Sequence, residues 1–375
     1  MQKFKMKTEV CFGEGALSAL GDVHAGSAAI FTDAFLAKNG TADLVASKLT
    51  GCKSIKVYSA IRPDPPVELI ADALKFLLDA DADVVVAVGG GSSIDAAKST
   101  TLIARQKTGK ALPLIAIPTT SGTGSEVTKF AVITDAAAGV KYPLVTEELL
   151  PVTAILDGEL VKSVPPQITS DTGFDVITHA LEAYISTAHN DFSDALAEKA
   201  MELAFAYLPQ AYAHGEDLTA REKMHTASCL AGMAFSEVSL GVNHGIAHAL
   251  GAHFHIPHGR ANAMVLPYVM AFNAELDRDG DCEAARRMTV IAGRLGLPTV
   301  SSKVGASALV MLIAEMGKRM SVPQSLADCK VSREDYEKAK AHIIESALKD
   351  ACTATNPRPV TAADVEKILS NLETF

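Results

Sequence analysis

Tryptophan is absent from this 375-residue chain, aromatic residues make up only 5%, and Lys plus Arg (34) fall ten short of Asp plus Glu (44). The net charge of −10 argues against a nucleic-acid or anionic-membrane partner, because either needs a basic face to displace counterions. The six cysteines, Cys11, Cys52, Cys229, Cys282, Cys329 and Cys352, show no CxxC spacing. That excludes a zinc knuckle or disulfide framework and predicts reduced, mostly buried thiols. No run reaches the roughly 20 apolar residues of a membrane span, and the opening MQKFKMKTEV lacks the apolar stretch of a signal peptide. A cytoplasmic protein working on a small molecule is expected.

Nearly half the residues are apolar, and a chain of this length predicts two domains, since single cores stop growing at roughly 250 to 300 residues. Up to about residue 165, short β-rich runs alternate with helical patterns: AAIF (28–31), SIKVY (54–58), DVVVAV (83–88), LPLIAI (112–117) and AILD (154–157). Their apolar residues are continuous, as in strands covered on both faces. The prediction is an α/β N-terminal domain with a doubly wound, mostly parallel sheet over 1–165. Val67–Leu78 has the spacing of a crossover helix.

After Val164-Pro165-Pro166 the texture changes. Helical periodicity governs Phe174–Ile185, Phe192–Tyr207, Ala220–Phe235, Ala261–Phe272, Glu283–Leu295, Ala306–Met320, Glu334–Leu348 and Ala363–Leu372. An all-helical C-terminal domain over 166–375 follows, with the double proline as its boundary.

Two loops carry phosphate chemistry. Gly89-Gly90-Gly91-Ser92-Ser93-Ile94-Asp95 follows the strand DVVVAV and leads into a helix expected from about Ala96. Glycines there let backbone amides approach a phosphate, with a tight turn that needs only positive φ as the less favoured reading. The motif is neither GxGxxG nor a Walker loop, so it does not specify the compound. Pro118-Thr119-Thr120-Ser121-Gly122-Thr123-Gly124-Ser125-Glu126-Val127-Thr128 concentrates hydroxyls after the strand LPLIAI. Asp33, just past AAIF, has two readings: an acceptor for a ribose 2′-hydroxyl, which favours NAD over NADP, or a helix N-cap.

The second half contains acid and imidazole clusters. Asp175 and His179 are four apart, as are His244 and His248, and five of eleven histidines lie between His244 and His258. Residues four apart share a helix face, so each pair can point at one divalent transition metal. A lone pair of this kind is more often a surface hydrogen bond, but two pairs beside a glycine-rich loop favour the metal.

The motifs GGGSSIDAAK, PTTSGTGSEVT, FDVITHALEAY, NHGIAHALGAHFHIPHGRANAM and NPRP (356–359), in this order, resemble the iron-dependent (group III) alcohol dehydrogenases. KYPL (141–144), AILDGELVKSVPPQIT (154–169), DALAEKA (194–200) and LAGMAFS (230–236) resemble especially the 1-propanol dehydrogenases of propanediol utilisation. The resemblance implies a dehydroquinate-synthase-like two-domain architecture. It also implies reversible hydride transfer between nicotinamide and a short primary alcohol or aldehyde, such as propanal. Its cofactors would be NAD(H) and Fe2+, with Zn2+ as the alternative ion. The metal ligands it implies are Asp175, His179, His244 and His258. His248, which spacing alone would pair with His244 as a ligand, becomes instead a catalytic group implicated in proton movement. Cofactor contacts carry over to Asp33, Gly89, Gly90, Gly91, Ser92, Asp95, Thr119, Thr120, Thr128, Phe130, Lys141 and Leu160, and a substrate lining to Phe235 and Cys352.

His253 and His255 have no role in that pattern. Arg260 and Phe130 depart from relatives: an inward Arg260 would alter substrate preference, and Phe130 replaces a polar residue of lactaldehyde-type relatives, making the pocket more apolar. The expected partner is a second copy, in a homodimer or larger homo-oligomer, and residence in a bacterial microcompartment is the alternative to free cytoplasm. Competing activities are a lactaldehyde/1,2-propanediol or 1,3-propanediol oxidoreductase and, in another class, a dehydroquinate-synthase-like lyase.

Overall fold

The continuous apolar runs become the centre of a parallel sheet because both of their faces are covered. In the computed structural model, which describes residues 4–135 and 140–375 with the side chains of residues 135, 140 and 141 outside that description, the strands are β1 (Glu9–Phe12), β2 (Ala25–Asp33), β3 (Cys52–Ile61), β4 (Val84–Gly89), β5 (Leu114–Pro118), β6 (Phe130–Asp135), β7 (Val140–Val145) and β8 (Thr153–Leu156). Six form one sheet in the order β1-β8-β5-β4-β2-β3, every neighbouring pair parallel. Helices α1 (Ala34–Lys38), α2 (Thr41–Lys48), α3 (Val67–Ala80) and α4 (Gly91–Thr108) connect them. Along β4, Val85 and Ala87 join Phe31, Leu77 and Ile94 in one core layer. Val84, Val86 and Val88 join Leu20, Ile30 and Leu49 in the other. Each such fully buried Val, Leu, Ile or Phe side chain contributes roughly 1.5–3 kcal/mol.

Strand β2 has β3 on one side and β4 on the other, so the chain reverses its direction of winding there. A parallel sheet opens a crevice outside the carboxyl ends of strands at such a reversal. Asp33 ends β2 and Gly89 ends β4. The sheet's winding therefore brings together two segments that the sequence separates by more than fifty residues.

Three strands escape the reading of apolar runs. β1 is a four-residue edge strand, and β6 with β7 makes a separate antiparallel hairpin. Edge and hairpin strands bury little, so local hydrophobicity announces them weakly. Helix α4 begins at Gly91, not near Ala96. Gly-Ser-Ser has poor helix propensity, but Gly89 at φ 148° turns the chain straight from strand into helix. All six cysteines are free, yet only Cys229 is buried, because the others sit at element ends or on partly covered faces.

The remaining helices are α5 (Pro166–Ile185), α6 (Asp191–Ala213), α7 (Leu218–Val238), α8 (Val242–Phe254), α9 (His258–Asn273), α10 (Glu283–Arg294), α11 (Ser302–Arg319), α12 (Arg333–Lys349) and α13 (Ala362–Ser370). The chain divides into two compact units, 1–164 with 216–236, and 165–215 with 237–375. The cut at Val164 falls beside the double proline, and Pro166 opens α5 at the position where a missing N–H costs nothing. Segment 216–236, expected in the second domain, packs instead with the first unit. Three contacts explain this. The Arg221 guanidinium donates to the carbonyls of Lys162 and Val164; His225 holds Pro118 and Ser121; and Gly232 lies so close to Gly124 that an added Cβ would stand 2.9 Å from its Cα. Periodicity marks a helix but does not say which core receives its apolar face.

In the helical unit α5 is the central element, buried on every side from Phe174 to Ile185, with α6 and α9 against it and α8 between α9 and α12. A helix covered all round is where polar side chains must find partners. Asp175, His179 and Glu182 stand on α5 at intervals of four and three residues, so they share one face.

Candidate functional site

In the helical unit, α5 presents Asp175 and His179, α8 presents His244, and His258 is the first residue of α9. Their ligating atoms all lie within 4.8 Å of one another. Asp175 Oδ1 is 3.5 Å from His258 Nε2, 3.9 Å from His244 Nε2 and 4.0 Å from His179 Nε2. Donors about 2.0–2.2 Å from a shared ion are themselves roughly 3–4 Å apart, so these separations fit a bound cation. The first three residues are buried, whereas the His258 side chain is 38% exposed.

Asn262, one turn after His258, tests that fit independently. Its Nδ2 donates to Asp175 Oδ1 at 2.7 Å and lies 3.1 Å from His244 Nε2 and 3.2 Å from His258 Nε2. One amide has two hydrogens for these three acceptors, whose lone pairs converge on a single region. The donor set of one carboxylate and three imidazoles suits a borderline divalent ion such as iron(II) or zinc(II).

Burial raises the Asp175 carboxyl, against the opposing charge of His179 and the hydrogen bond from Asn262. Burial, followed by the neighbouring histidines, holds His244 well below the ordinary imidazole range, hence neutral and able to donate a lone pair. Glu182 accepts from His244 Nδ1 and, through Oε1, from the Asn243 amide at 2.8 Å. This fixes the tautomer and turns Nε2 toward Asp175, the usual arrangement behind a ligating histidine. Burial pushes Glu182 up to about 8 in spite of the backbone bonds it receives.

His248 stands outside the four-atom cluster but touches it. Its ring stacks on His258 with centroids 5.2 Å apart and meets His244 edge-on. Its Nδ1 lies 2.8 Å from Asp350 Oδ2, which leaves Nε2 for exchange with a ligand. Burial alone would raise the Asp350 carboxyl, but the hydrogen bond and charge of His248 outweigh it and hold the group below the usual carboxylate range. Cys352 joins this second group, its amide bound to Asp350 Oδ1 at 2.8 Å and its thiol raised by burial. The spacing argument that pairs His248 with His244 as co-ligands therefore gives way to tertiary placement.

His253 pairs with His342 at 2.7 Å, and His255 ends α8 in the left-handed conformation. Arg260 is engaged with Asp171 through Nε (3.3 Å) and Nη2 (2.9 Å), so its guanidinium neutralises a second carboxylate one turn from Asp175. The NPRP segment braces α8 and α9: Asn356 Oδ1 accepts from the Val242 amide at 3.2 Å at the start of α8, and Arg358 donates to the Phe272 carbonyl at the end of α9.

In the sheet unit, the two loops approach closely. A Cβ on Gly91 would stand 2.8 Å from Thr123 Cγ2, and one on Gly90 would stand 3.4 Å from Thr120 Oγ1. Gly90 caps α4 without a side-chain bond, so the first-turn amides have no side chain of their own over them, the arrangement that accepts an anionic phosphate. The Thr119 amide donates to the Gly89 carbonyl at 3.0 Å, tying the second loop to the first. Asp33 Oδ1 accepts from the amides of Phe35 and Leu36; the N-cap reading is thus realised, through one carboxylate oxygen. Asp95 accepts from the Ser125 hydroxyl (2.6 Å) and the Val132 amide (3.0 Å), so both of its oxygens are used inside the protein. Leu160 packs partly buried against the sheet. Phe130 and Phe235 pair with centroids 6.2 Å apart. Ser92 lies in the first turn of α4, and the side chain of Lys141 lies outside the described residues.

Several site residues escaped the sequence reading. Glu182 and Asn262 had a signal, for each extends a ligand's helical face by one turn (Asp175, His179, Glu182; His258, Asn262). Asp350 had none. His225 clamps the second loop, its Nε2 donating to the Pro118 carbonyl (3.2 Å) and its Nδ1 accepting from the Ser121 hydroxyl (2.8 Å). Burial takes its pKa down to about 4 and keeps it neutral. Lys98 lies beneath the same loop.

Residues 7–158 match the family profile described as iron-containing alcohol dehydrogenase, and residues 169–372 the one described as the Fe-containing alcohol dehydrogenase family, C-terminal. The chain is 42% identical to the 1-propanol dehydrogenase PduQ of Salmonella typhimurium, over 99% of this chain and 100% of that protein. It is 36% identical to the NADPH-dependent butanol dehydrogenase of Clostridium saccharobutylicum, over 98% and 97%. Its structure is similar to that of a 1,3-propanediol oxidoreductase, with a TM-score of 0.90 at 32% identity, covering 99% of this chain and 100% of the other.

Proposed function

Since the chain belongs to the iron-containing alcohol dehydrogenase family, whose members interconvert alcohols and aldehydes, we propose that it is an NAD(H)- and metal-dependent enzyme for short unbranched primary alcohols, reducing propanal or a close relative. The observation that carries this reading is the convergence of one carboxylate and three imidazoles within 4.8 Å. Asp175, His179, His244 and His258 would hold iron(II), with zinc(II) as the alternative, which when bound supplies Lewis acidity toward the substrate oxygen, while NAD(H) exchanges a hydride with the carbinol carbon.

The chain's own groups do the rest. Glu182 keeps the His244 proton on Nδ1. Asp350 orients His248 and stabilises the ring when Nε2 takes up a proton, so His248 is the group we assign to proton transfer. The Gly89–Ser92 turn and the start of α4 receive the diphosphate, with Thr119, Thr120, Thr128, Phe130, Lys141 and Leu160 along the cofactor. Asp95 enters as the strut that holds Ser125 and Val132. Phe235, paired with Phe130, and Cys352 are the proposed substrate lining, and the two apolar rings favour an unsubstituted alkyl chain over a hydroxylated one. As parts of the same proposal, the enzyme acts in the cytoplasm, or associated with a microcompartment, as a homodimer or larger assembly, the latter checked by light scattering.

The test is anaerobic purification, elemental analysis, and NADH oxidation with ethanal, propanal, butanal, lactaldehyde and 3-hydroxypropanal. Propanal or butanal should give the highest kcat/KM, and activity should vanish with a chelator and return with Fe2+. Preference for the hydroxylated aldehydes would favour the propanediol oxidoreductase reading, supported by the structural similarity to that enzyme. Absence of any aldehyde-dependent NADH oxidation would remove the proposal.

Asp33 decides between the two nicotinamide cofactors. One of its oxygens caps α1, and its negative charge beside the end of β2 would repel a 2′-phosphate. Asp33→Gly should lower the ratio of kcat/KM for NADH over NADPH by about tenfold, the equivalent of 1.4 kcal/mol. Glycine is tolerated at an N-cap at a cost of a few tenths of a kcal/mol, so the fold is preserved and an unchanged ratio would end the ribose assignment.

A further inference from the structure

Lys98 is fully buried on α4 of the sheet unit, two turns from the glycine loop. Its Nζ donates to the Thr128 carbonyl (2.7 Å), the Thr128 hydroxyl (3.2 Å) and the Phe130 carbonyl (2.8 Å). An ammonium has three hydrogens, so all of them are spent on Thr128 and Phe130, two on backbone carbonyls and one on the Thr128 hydroxyl. Asp95, three residues earlier on the same face, binds Ser125 and Val132. Between them these two side chains hold residues 125–132 from below, by four different residues.

Taking an ammonium out of water costs several kcal/mol unless opposite charge and hydrogen bonds compensate. Here Asp95 and the buried Glu126 act on it electrostatically, and burial still takes its pKa down to about 8. A well-packed apolar side chain would serve stability as well or better. What an apolar residue does not do is fix the direction of the Thr128 and Phe130 carbonyls, two residues apart. Their direction sets the peptide planes that follow Thr128 and Phe130, and with them the positions of the Thr128 side chain and the Phe130 ring.

We propose that Lys98 is a positioning residue for the nicotinamide cofactor, holding Thr128 and Phe130 in the geometry that binds it. The inference rests on the reading of Thr119 to Phe130 as cofactor contacts. Neither Lys98 nor Glu126 is assigned a contact with cofactor, metal or substrate.

NADH binding to the metal-loaded enzyme, followed by nicotinamide fluorescence, tests both levels. Wild-type protein that fails to bind NADH overturns the cofactor reading and the inference with it. Given wild-type binding, Lys98→Met should raise the Kd for NADH at least tenfold while metal content and kcat at saturating NADH stay within about threefold. Because Lys98→Met leaves Glu126 without its cation, the double variant Lys98→Met/Glu126→Gln, which restores the charge balance, accompanies it. The double variant should recover any lost Tm but not the NADH affinity, since the two carbonyls still lack their donor. If affinity returns with Tm in the double variant, or never falls in folded Lys98→Met, Lys98 serves stability alone and the inference is wrong.

Discussion

Replacing His258 with alanine is expected to strip the enzyme of metal and of turnover while NADH binding to the sheet unit stays within about twofold. The size of the effect follows from the donor count. Asp175 and His179 are held by the buried α5, and His244 by Glu182, so three donors remain in place. An outer partner of a ligand is commonly worth 10–100-fold in metal affinity or activity, and loss of a ligand itself should exceed the upper figure. The variant should fold, because His258 is the most exposed of the four and opens a helix at a position that accepts alanine. Elemental analysis after dialysis, kcat/KM for propanal, and NADH fluorescence give three separate readouts. Retained metal with full activity would refute the four-ligand centre. Lost NADH binding would show that the histidine also supports the other unit.

Gly259→Ala should be nearly as damaging, although the residue carries no chemistry. A Cβ there would lie 2.2 Å from the Asp171 carbonyl oxygen and 2.8 Å from its carbon, with Asp175 Cβ at 3.3 Å. The obstacle is backbone inside the buried α5, so α9 must back away from α5. Overpacking of this kind costs about 1–3 kcal/mol. The metal suffers more than the fold: His258 Nε2 is now 3.5 Å from Asp175 Oδ1, and ligand distances tolerate only about ±0.2 Å. We expect a Tm lower by several degrees and metal affinity reduced at least tenfold, measured by calorimetry and by competition with a chelator. The Asp171–Arg260 pair spans the same junction and would be strained by the same shift. Wild-type Tm and metal content in this variant would mean that the α5 and α9 contact yields easily, and the close-packing argument would fail.

These two cases divide along the line between local and non-local information. The pairs Asp175/His179 and His244/His248 were visible because a helix repeats every 3.6 residues, so shared faces can be counted off in sequence. The core strands were visible because burial on both faces removes polar residues from a run. β1 and the β6/β7 hairpin lacked that signal, being marginal in burial. The cofactor loops showed themselves through glycine and hydroxyl content, yet the same composition left a plain turn as an alternative. Asp33 had two readings and the structure realises the cap, while its charge stays available for the proposed ribose role.

By itself, then, the sequence determined the alternation of strand and helix in the first part, the helical character of the second, the resemblance to a metal-dependent dehydrogenase family, and the facing pairs on single helices. All of these are encoded within a few turns or strands. Only the tertiary structure decided that His248 binds Asp350 beside the ligand cluster, that α7 joins the sheet unit, that Glu182 and Asn262 brace the ligands, and that Lys98 lies beneath the hydroxyl-rich loop. Each of those depends on which surfaces meet across distant stretches of chain. Hydrophobic burial, which drives that meeting, is non-directional, so the partners become legible only once the close-packed geometry is known.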